Sequence, residues 1–230
     1  TAVPGALGTL VITDQPATIE AGQLFYFNVT AYDVFGNPKD DFYGNLTFTS
    51  DEGHVLFTVP TDDGGNWSSG RKMFNATLYT TPSRWLAASN GSIVANVTIG
   101  VSPAAPASIT IAPVGPTGYT AGGGDATYTA TVYDAYGNEN GTAPVTWHTW
   151  NDTGNGTVDS GTGAFVPGTR TGGGSVNATT TGGVNASSDF VIEPAALGEL
   201  LFTDVPATTT AGQSFNFNVT ARDIFGNLKT

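Results

Sequence analysis

Over many short runs of this chain, apolar and polar residues alternate one for one. In Phe215-Asn216-Phe217-Asn218-Val219-Thr220-Ala221-Arg222 every second residue is apolar, the period of a β-strand with one face on a core and the other in water. A helix would scatter those aromatics around its circumference. The same inward face is predicted for Phe25, Phe27, Val29 and Ala31, and for Tyr128, Ala130 and Val132. Further period-two runs follow at Leu46 and Phe48; Phe74, Ala76 and Leu78; Ile93, Ala95, Val97 and Ile99; Val145 and Trp147; and Val176 and Ala178. Turn clusters such as Thr61-Asp62-Asp63-Gly64-Gly65 and Thr171-Gly172-Gly173-Gly174 separate them. This spacing predicts about seven short strands per domain and an all-β, antiparallel two-sheet sandwich.

The pattern repeats on a larger scale. Gly8 to Asp40 returns as Gly198 to Thr230, 190 residues on, with 21 of the 33 paired positions identical. A weaker copy lies between them at Ala107 to Asn140 and keeps the Ala-Gly turn, the alternating strand and the ending Asp-x-(Phe/Tyr)-Gly-Asn. The predicted organisation is therefore a type A domain over 1–102, a type B domain over 103–193, and the first strands of a second type A domain over 194–230. Two strands alone are marginal. Either the polypeptide continues past Thr230, the expectation preferred here because residues 1–7 align with Val191 to Leu197 at the repeat boundary, or the strands complete a sandwich in a neighbouring subunit. Short linkers with proline, Val101 to Pro106 and Ile192 to Ala196, predict semi-rigid junctions and an extended string of domains.

Composition narrows the function. The formal net charge of −12 opposes binding to nucleic acid and to anionic lipid surfaces. No apolar run is long enough for a transmembrane helix, and Thr1 does not open a signal segment. Without any cysteine, neither disulfides nor thiolate sites are available and stability rests on packing. Small animal extracellular domains usually carry disulfides, which points to a prokaryotic source.

The strand ending Val-Thr-Ala-x-Asp-x-Phe-Gly-Asn, followed by Asp41-Phe42-Tyr43-Gly44-Asn45-Leu46-Thr47-Phe48-Thr49-Ser50, resembles the bacterial and archaeal immunoglobulin-like repeats related to invasin and intimin stalk domains. The resemblance covers all three segments and is loosest in the second half of the type B domain. It implies tandem immunoglobulin-like sandwiches at the cell surface, as in adhesin stalks, surface layers, filaments and spacers beside enzyme modules. It implies architecture and place more than a task.

Twelve of the sixteen asparagines open an Asn-x-Ser/Thr sequon: Asn28, Asn45, Asn66, Asn75, Asn90, Asn96, Asn140, Asn151, Asn155, Asn177, Asn185 and Asn218. The Ser and Thr content would give about three or four by chance. Asn28, Asn75, Asn96, Asn177 and Asn218 fall on the predicted water side of strands, where a sugar can attach without disturbing the packing. Covalent N-glycans are expected, and with no disulfides they favour an archaeal surface glycoprotein. The plainer reading is that Asn and Thr fill turns and outward positions.

The Asp-x-(Phe/Tyr)-Gly-Asn turns supply weak calcium candidates, Asp33 and Asn37, Asp134 and Asn138, and Asp223 and Asn227. Carboxylate and amide oxygens suit a hard cation, but a calcium ion takes six or more and each turn offers few. The favoured expectation is structural: the Asp accepts backbone N–H bonds while Gly and Asn take left-handed conformations. Asp40-Asp41, Asp51-Glu52 and Asp62-Asp63 match no calcium-loop spacing and read as solvated loops. His54 and His148 lie in different domains and in no catalytic motif, so no catalytic residue, metal site or cofactor is assigned. Trp147 reads as core from its phase with Val145, whereas Trp67 and Trp150 are predicted to be exposed, packing between domains or subunits rather than stacking on sugars.

These readings predict a non-enzymatic structural segment of an extracellular glycoprotein that forms a filament, sheath or surface layer with neighbouring copies of itself. An adhesin stalk facing surface glycans or other cells, and a spacer in a secreted polysaccharide-active enzyme, are the alternatives.

Overall fold

The computed structural model describes residues 3–58 and 67–229. Among them are nineteen strands and no helix. They fall into two compact units, Thr1–Ala105 with Tyr133–Asn140, and Pro106–Val132 with Gly141–Thr230.

In the first unit the strands are β1 (Leu7–Thr13), β2 (Thr18–Glu20), β3 (Leu24–Asp33), β4 (Thr47–Ser50), β5 (Leu56–Phe57), β6 (Arg71–Thr77), β7 (Ser83–Ser89) and β8 (Val94–Ser102). One sheet has the order β1-β3-β6-β5 and the other β2-β8-β7-β4. The period of β3 sets its inward face: Phe25, Phe27, Val29 and Ala31 are all buried. Phe27 packs edge-on against Phe48 of the opposite sheet at 5.7 Å and stacks on Phe74 at 6.0 Å. A side chain of this size contributes about 2–3 kcal/mol when fully buried, and rings meeting at offset angles add to that.

The expected antiparallel pairing holds except at one short strand of each sandwich. β1 pairs antiparallel with β3, but Asp14 then takes φ 62° and Pro16 follows, so the chain crosses and β2 joins the other sheet parallel to β8, with Ile19 opposite Val101. The alternation is the same on either sheet, so period alone does not reveal the switch.

Trp67, expected to be exposed, is 8 % exposed. It meets Phe42 edge-on at 4.7 Å and Phe74 at 6.3 Å. Ser68 then bridges to Arg71 at the start of β6, and the indole belongs to the core of the first unit.

The second unit contains β9 (Pro106–Ala112), β10 (Thr117–Thr120), β11 (Ala126–Thr127), β12 (Thr129–Asp134), whose last two residues lie in the first unit, β13 (Val145–Trp150), β14 (Thr157–Val158), β15 (Ala164–Val166), β16 (Gly172–Thr180), β17 (Asn185–Glu193), β18 (Leu197–Thr203) and β19 (Asn218–Asp223). Its largest sheet runs β10-β17-β16-β13, with β10 parallel to β17. Tyr128, Trp147, Phe165 and Phe190 are buried together. Burial also pushes the Tyr128 hydroxyl above the ordinary tyrosine range.

β18 and β19 form a separate antiparallel pair with the register of β1 and β3, Leu200 opposite Ala221 where Leu10 stands opposite Ala31. Here the predicted inward face is exposed. Phe215 and Phe217 lie outside the regular strand, and Phe217 packs on Phe202 at 5.7 Å with both rings open to solvent. Among the described residues no second sheet covers this pair.

Candidate functional site

Each Asp-x-(Phe/Tyr)-Gly-Asn turn follows the inner strand of its copy and is built around one buried carboxylate. Asp134 Oδ1 accepts hydrogen bonds from the backbone N–H of Tyr136 and of Asn138, each at 2.9 Å. Its Oδ2 accepts from Ala104 N at 3.0 Å and from Asn138 Nδ2 at 2.8 Å. Asp223 repeats this with Phe225 N, Asn227 N, Ala195 N and Asn227 Nδ2. Asp33 repeats it with Phe35 N, Asn37 N, Gly5 N and Asn37 Nδ2. The glycine of each turn takes φ of 83° to 85°, a conformation open to residues without a Cβ.

One residue of the linker is thereby held at both ends. Gly5, Ala104 and Ala195 donate their N–H to the Asp, while their carbonyls accept from Lys39 Nζ at 2.8 Å, Asn140 Nδ2 at 3.1 Å and Lys229 Nζ at 2.8 Å. Each follows a proline, Pro4, Pro103 or Pro194. The sequence motif and the proline linker thus form a single clamp, which explains their joint recurrence.

Two of the three turns also fill a socket. In the first unit, Gly22 N donates to Leu78 O and Ala21 N to Ser102 O, which fixes an Ala-Gly turn. The Tyr136 ring lies where a Cβ on Gly22 would stand, and it packs on Tyr79 at 5.0 Å between centroids. Asn138 grips the adjoining backbone as a fork, Oδ1 accepting from Thr81 N at 3.1 Å and Nδ2 donating to Tyr79 O at 2.7 Å. In the second unit, Gly122 N donates to Gly168 O and Ala121 N to Glu193 O. Phe225 occupies the space over Gly122, its Cζ 2.5 Å from where a Cβ would be, and Asn227 grips Thr171 N at 3.2 Å and Thr169 O at 2.9 Å. Asn37 keeps only its inner bonds to Asp33 among the described residues, and Phe35 is 81 % exposed.

The electrostatics follow from these donors. At Asp33 the Gly5 N–H leads the hydrogen bonds that bring the carboxyl down to about 2. At Asp223 burial acts upward, but the bonds from Asn227, Ala195 and Phe225 outweigh it and the carboxyl again lies at about 2. Asp134 is also lowered, its donors outweighing burial. All six carboxylate oxygens already face N–H groups. A cation there would have to displace those donors.

None of the eleven described sequon asparagines is buried. Asn45, Asn96, Asn151, Asn155, Asn185 and Asn218 are exposed; Asn28, Asn75, Asn90, Asn140 and Asn177 are half-buried. Several amides have local partners. Asn28 donates to Asp14 at 2.7 Å and Asn218 to Asp204 at 2.5 Å, one period apart, and Asn90 Oδ1 accepts from Ile93 N at 2.8 Å. Asn96 lies beside Trp85, half open to solvent, in a depression of about 430 Å³ on the outer face of β4, β7 and β8, lined also by Thr49 and Thr98. The sequence pattern did not single out Trp85, because an outward tryptophan on a strand has the same phase as any outward polar residue. Asn66 and the pair Asp62-Asp63 lie outside the described residues.

The remaining candidates stay apart. His54 and His148 are exposed, and His148 Nε2 is 3.3 Å from Asn177 Nδ2. Asp41 pairs with Lys39 at 2.9 Å. Glu52, expected in a solvated loop, is buried and accepts from Tyr79 N at 2.6 Å and Thr80 Oγ1 at 2.9 Å, bracing the stretch that Asn138 grips. Among the described residues no three acidic or histidine side chains gather in a metal-binding group, and no helix is long and apolar enough to cross a membrane.

No sequence-family model and no curated protein sequence matches the chain. Solved structures do. FdeC, an Escherichia coli adhesin, is similar over 98 % of this chain and 77 % of its own, with 19 % identity and a TM-score of 0.60. Extracellular cadherin domains 1–5 of protocadherin gamma B2 are similar over 94 % of this chain and 47 % of theirs, with 14 % identity and a TM-score of 0.50. Domains 5–6 of the S-layer protein SbsC match 83 % of this chain and 99 % of their own, with 19 % identity and a TM-score of 0.34. In fold, then, the chain is an all-β protein of immunoglobulin-like sandwiches, similar to the FdeC structure.

Proposed function

We propose that the chain is a non-catalytic structural segment of an extracellular, N-glycosylated surface protein, archaeal in origin, built as a type A sandwich (1–102), a type B sandwich (103–193) and a returning type A copy (194–230), and that it forms part of a filament, sheath or surface layer. One observation carries this reading: the same clamp recurs at Asp33, Asp134 and Asp223, each fixing a proline linker through one carboxylate. A device that fixes junctions at regular intervals sets reach and stiffness, which is the work of a scaffold. The unburied sequons support a periodic sugar coat that would shield strand edges. The mechanism is mechanical and requires neither cofactor nor calcium.

A second reading, the stalk of an adhesin, draws on the likeness to FdeC. Imaging the native assembly, together with mass spectrometry of its glycopeptides, separates the two. A scaffold gives an axial repeat near two domain lengths, lateral contacts between copies, and sugar on the exposed asparagines. Isolated, non-associating molecules would favour the stalk. Unmodified asparagines throughout would remove the glycoprotein part of the proposal.

A further inference from the structure

The two filled sockets share one chemistry. Each has an Ala-Gly turn whose glycine leaves room for an aromatic ring, φ 80° at Gly22 and 61° at Gly122. Each also has a backbone stretch offering a carbonyl and, two residues on, an N–H: Tyr79 and Thr81, or Thr169 and Thr171. The inserting part is equally constant, an aromatic ring and an asparagine amide two residues apart. The amide matches the backbone donor for acceptor and acceptor for donor.

Phe35 and Asn37 form a third insert of this kind, and among the described residues no Ala-Gly turn or backbone fork surrounds it. Their backbone is shaped as in the filled copies, since Asp33 receives the same four donors and Gly36 takes φ 83° against 85° at Gly226. The linker clamp is the same too, with Lys39 on Gly5 O as Lys229 is on Ala195 O. Yet Phe35 is 81 % exposed where Phe225 is 43 % exposed.

We propose that the turn Asp33 to Asn37 is a docking surface for one kind of partner, a further β-sandwich end with the chemistry of the Gly122 socket: an Ala-Gly turn under the Phe35 ring and a carbonyl/N–H fork for the Asn37 amide. The type B end is the fit because Asp-Val-Phe-Gly-Asn at 33–37 reproduces Asp-Ile-Phe-Gly-Asn at 223–227, the insert seated on that end. Tyr136, by contrast, meets Tyr79 in the Gly22 socket. Insert and socket are different patches, so the contact is heterologous and each copy offers the next an unused insert. The inference rests on the scaffold reading and names the contact that would extend the scaffold.

The test is a lengthened chain in which residues 1–193 are placed ahead of residues 4–230, preserving the 190-residue period and the whole of β17. Hydroxyl-radical footprinting then compares Phe35 of the second copy with Phe35 of the 230-residue chain. The expected result is a fall in reactivity to the level of Phe225, roughly twofold from the 81 % and 43 % exposures. Hydrogen exchange should show protection of the first copy's Thr171 N–H, lost when the second copy carries Asn37→Ala. Gly122→Ala in the first copy should restore Phe35 reactivity. Unchanged Phe35 reactivity in the lengthened chain would overturn the proposal. So would concentration-dependent protection of Phe35 in the 230-residue chain alone, which would assign the surface to a second copy of that chain. Neither failure touches the glycopeptide and imaging tests of the scaffold itself.

Discussion

Asp134 shows what a single side chain contributes in this protein. Its buried carboxylate satisfies four donors, two of them on buried Asn138, and removing it leaves them without that acceptor. Hydrogen bonds to a charged acceptor contribute more than neutral ones, and orphaned buried donors carry the full desolvation cost. Asp134→Ala is expected to destabilise the first unit by about 3 kcal/mol in urea unfolding followed by tryptophan fluorescence. Asp33 and Asp223 titrate at about 2 in the folded chain, below the ordinary unfolded value of about 3.9. Their contribution is therefore fully present above about pH 4 and lost as pH falls toward 2. An acid titration monitored by near-ultraviolet circular dichroism should show this loss, and the step should shrink in Asp33→Ala and Asp223→Ala. The Asp's part in the turn was legible in the sequence, because an Asp that caps its own turn needs only local geometry; the left-handed conformation expected of the Asn was wrong, since Gly36, Gly137 and Gly226 take positive φ while Asn37, Asn138 and Asn227 do not. The fourth donor, from a linker residue 28 to 30 positions away, was not legible there.

Among elements, the inner strand was the clearest in advance. β3 alternates over its whole length and its apolar positions face the core as predicted, because a strand between two partners has one dry side and one wet side. The divided first strand was hidden, since β1 and β2 belong to different sheets although both are short alternating runs. The Ala-Gly turn between β2 and β3 read only as punctuation, yet it forms the floor of a socket. Gly22→Ala is expected to force a side chain into φ 80° and into the space of the Tyr136 ring, costing about 1–3 kcal/mol through strain and lost packing. Limited proteolysis within 133–140 should speed up in that variant while the circular dichroism of the sheets stays constant. Cleavage at the wild-type rate would show that the ring is not held there.

At the scale of the whole molecule the three linker clamps raise the matter of metal dependence. Were calcium the fastener, native-state binding would raise the melting temperature with ion concentration. Because N–H groups face every oxygen of the three carboxylates, calcium and EDTA are expected to leave the melting temperature unchanged within about 1 °C. A rise of several degrees with calcium would overturn the reading. The net charge of −12 acts at this scale as well, opposing condensation of copies and raising the value of specific contacts over general stickiness.

Strand content, the facing of most side chains, the 190-residue repeat and the lack of thiols can all be read from the order of residues. Each follows from local period or composition and is independent of which strand lies beside which. Long-range packing is what makes Trp67 a core residue, sets Glu52 to brace a distant backbone stretch, seats Tyr136 and Phe225 over glycines, and clamps a linker residue between Asp and Lys or Asn. Those facts depend on pairs far apart along the chain, and a period of two carries no information about which distant partner a residue will meet.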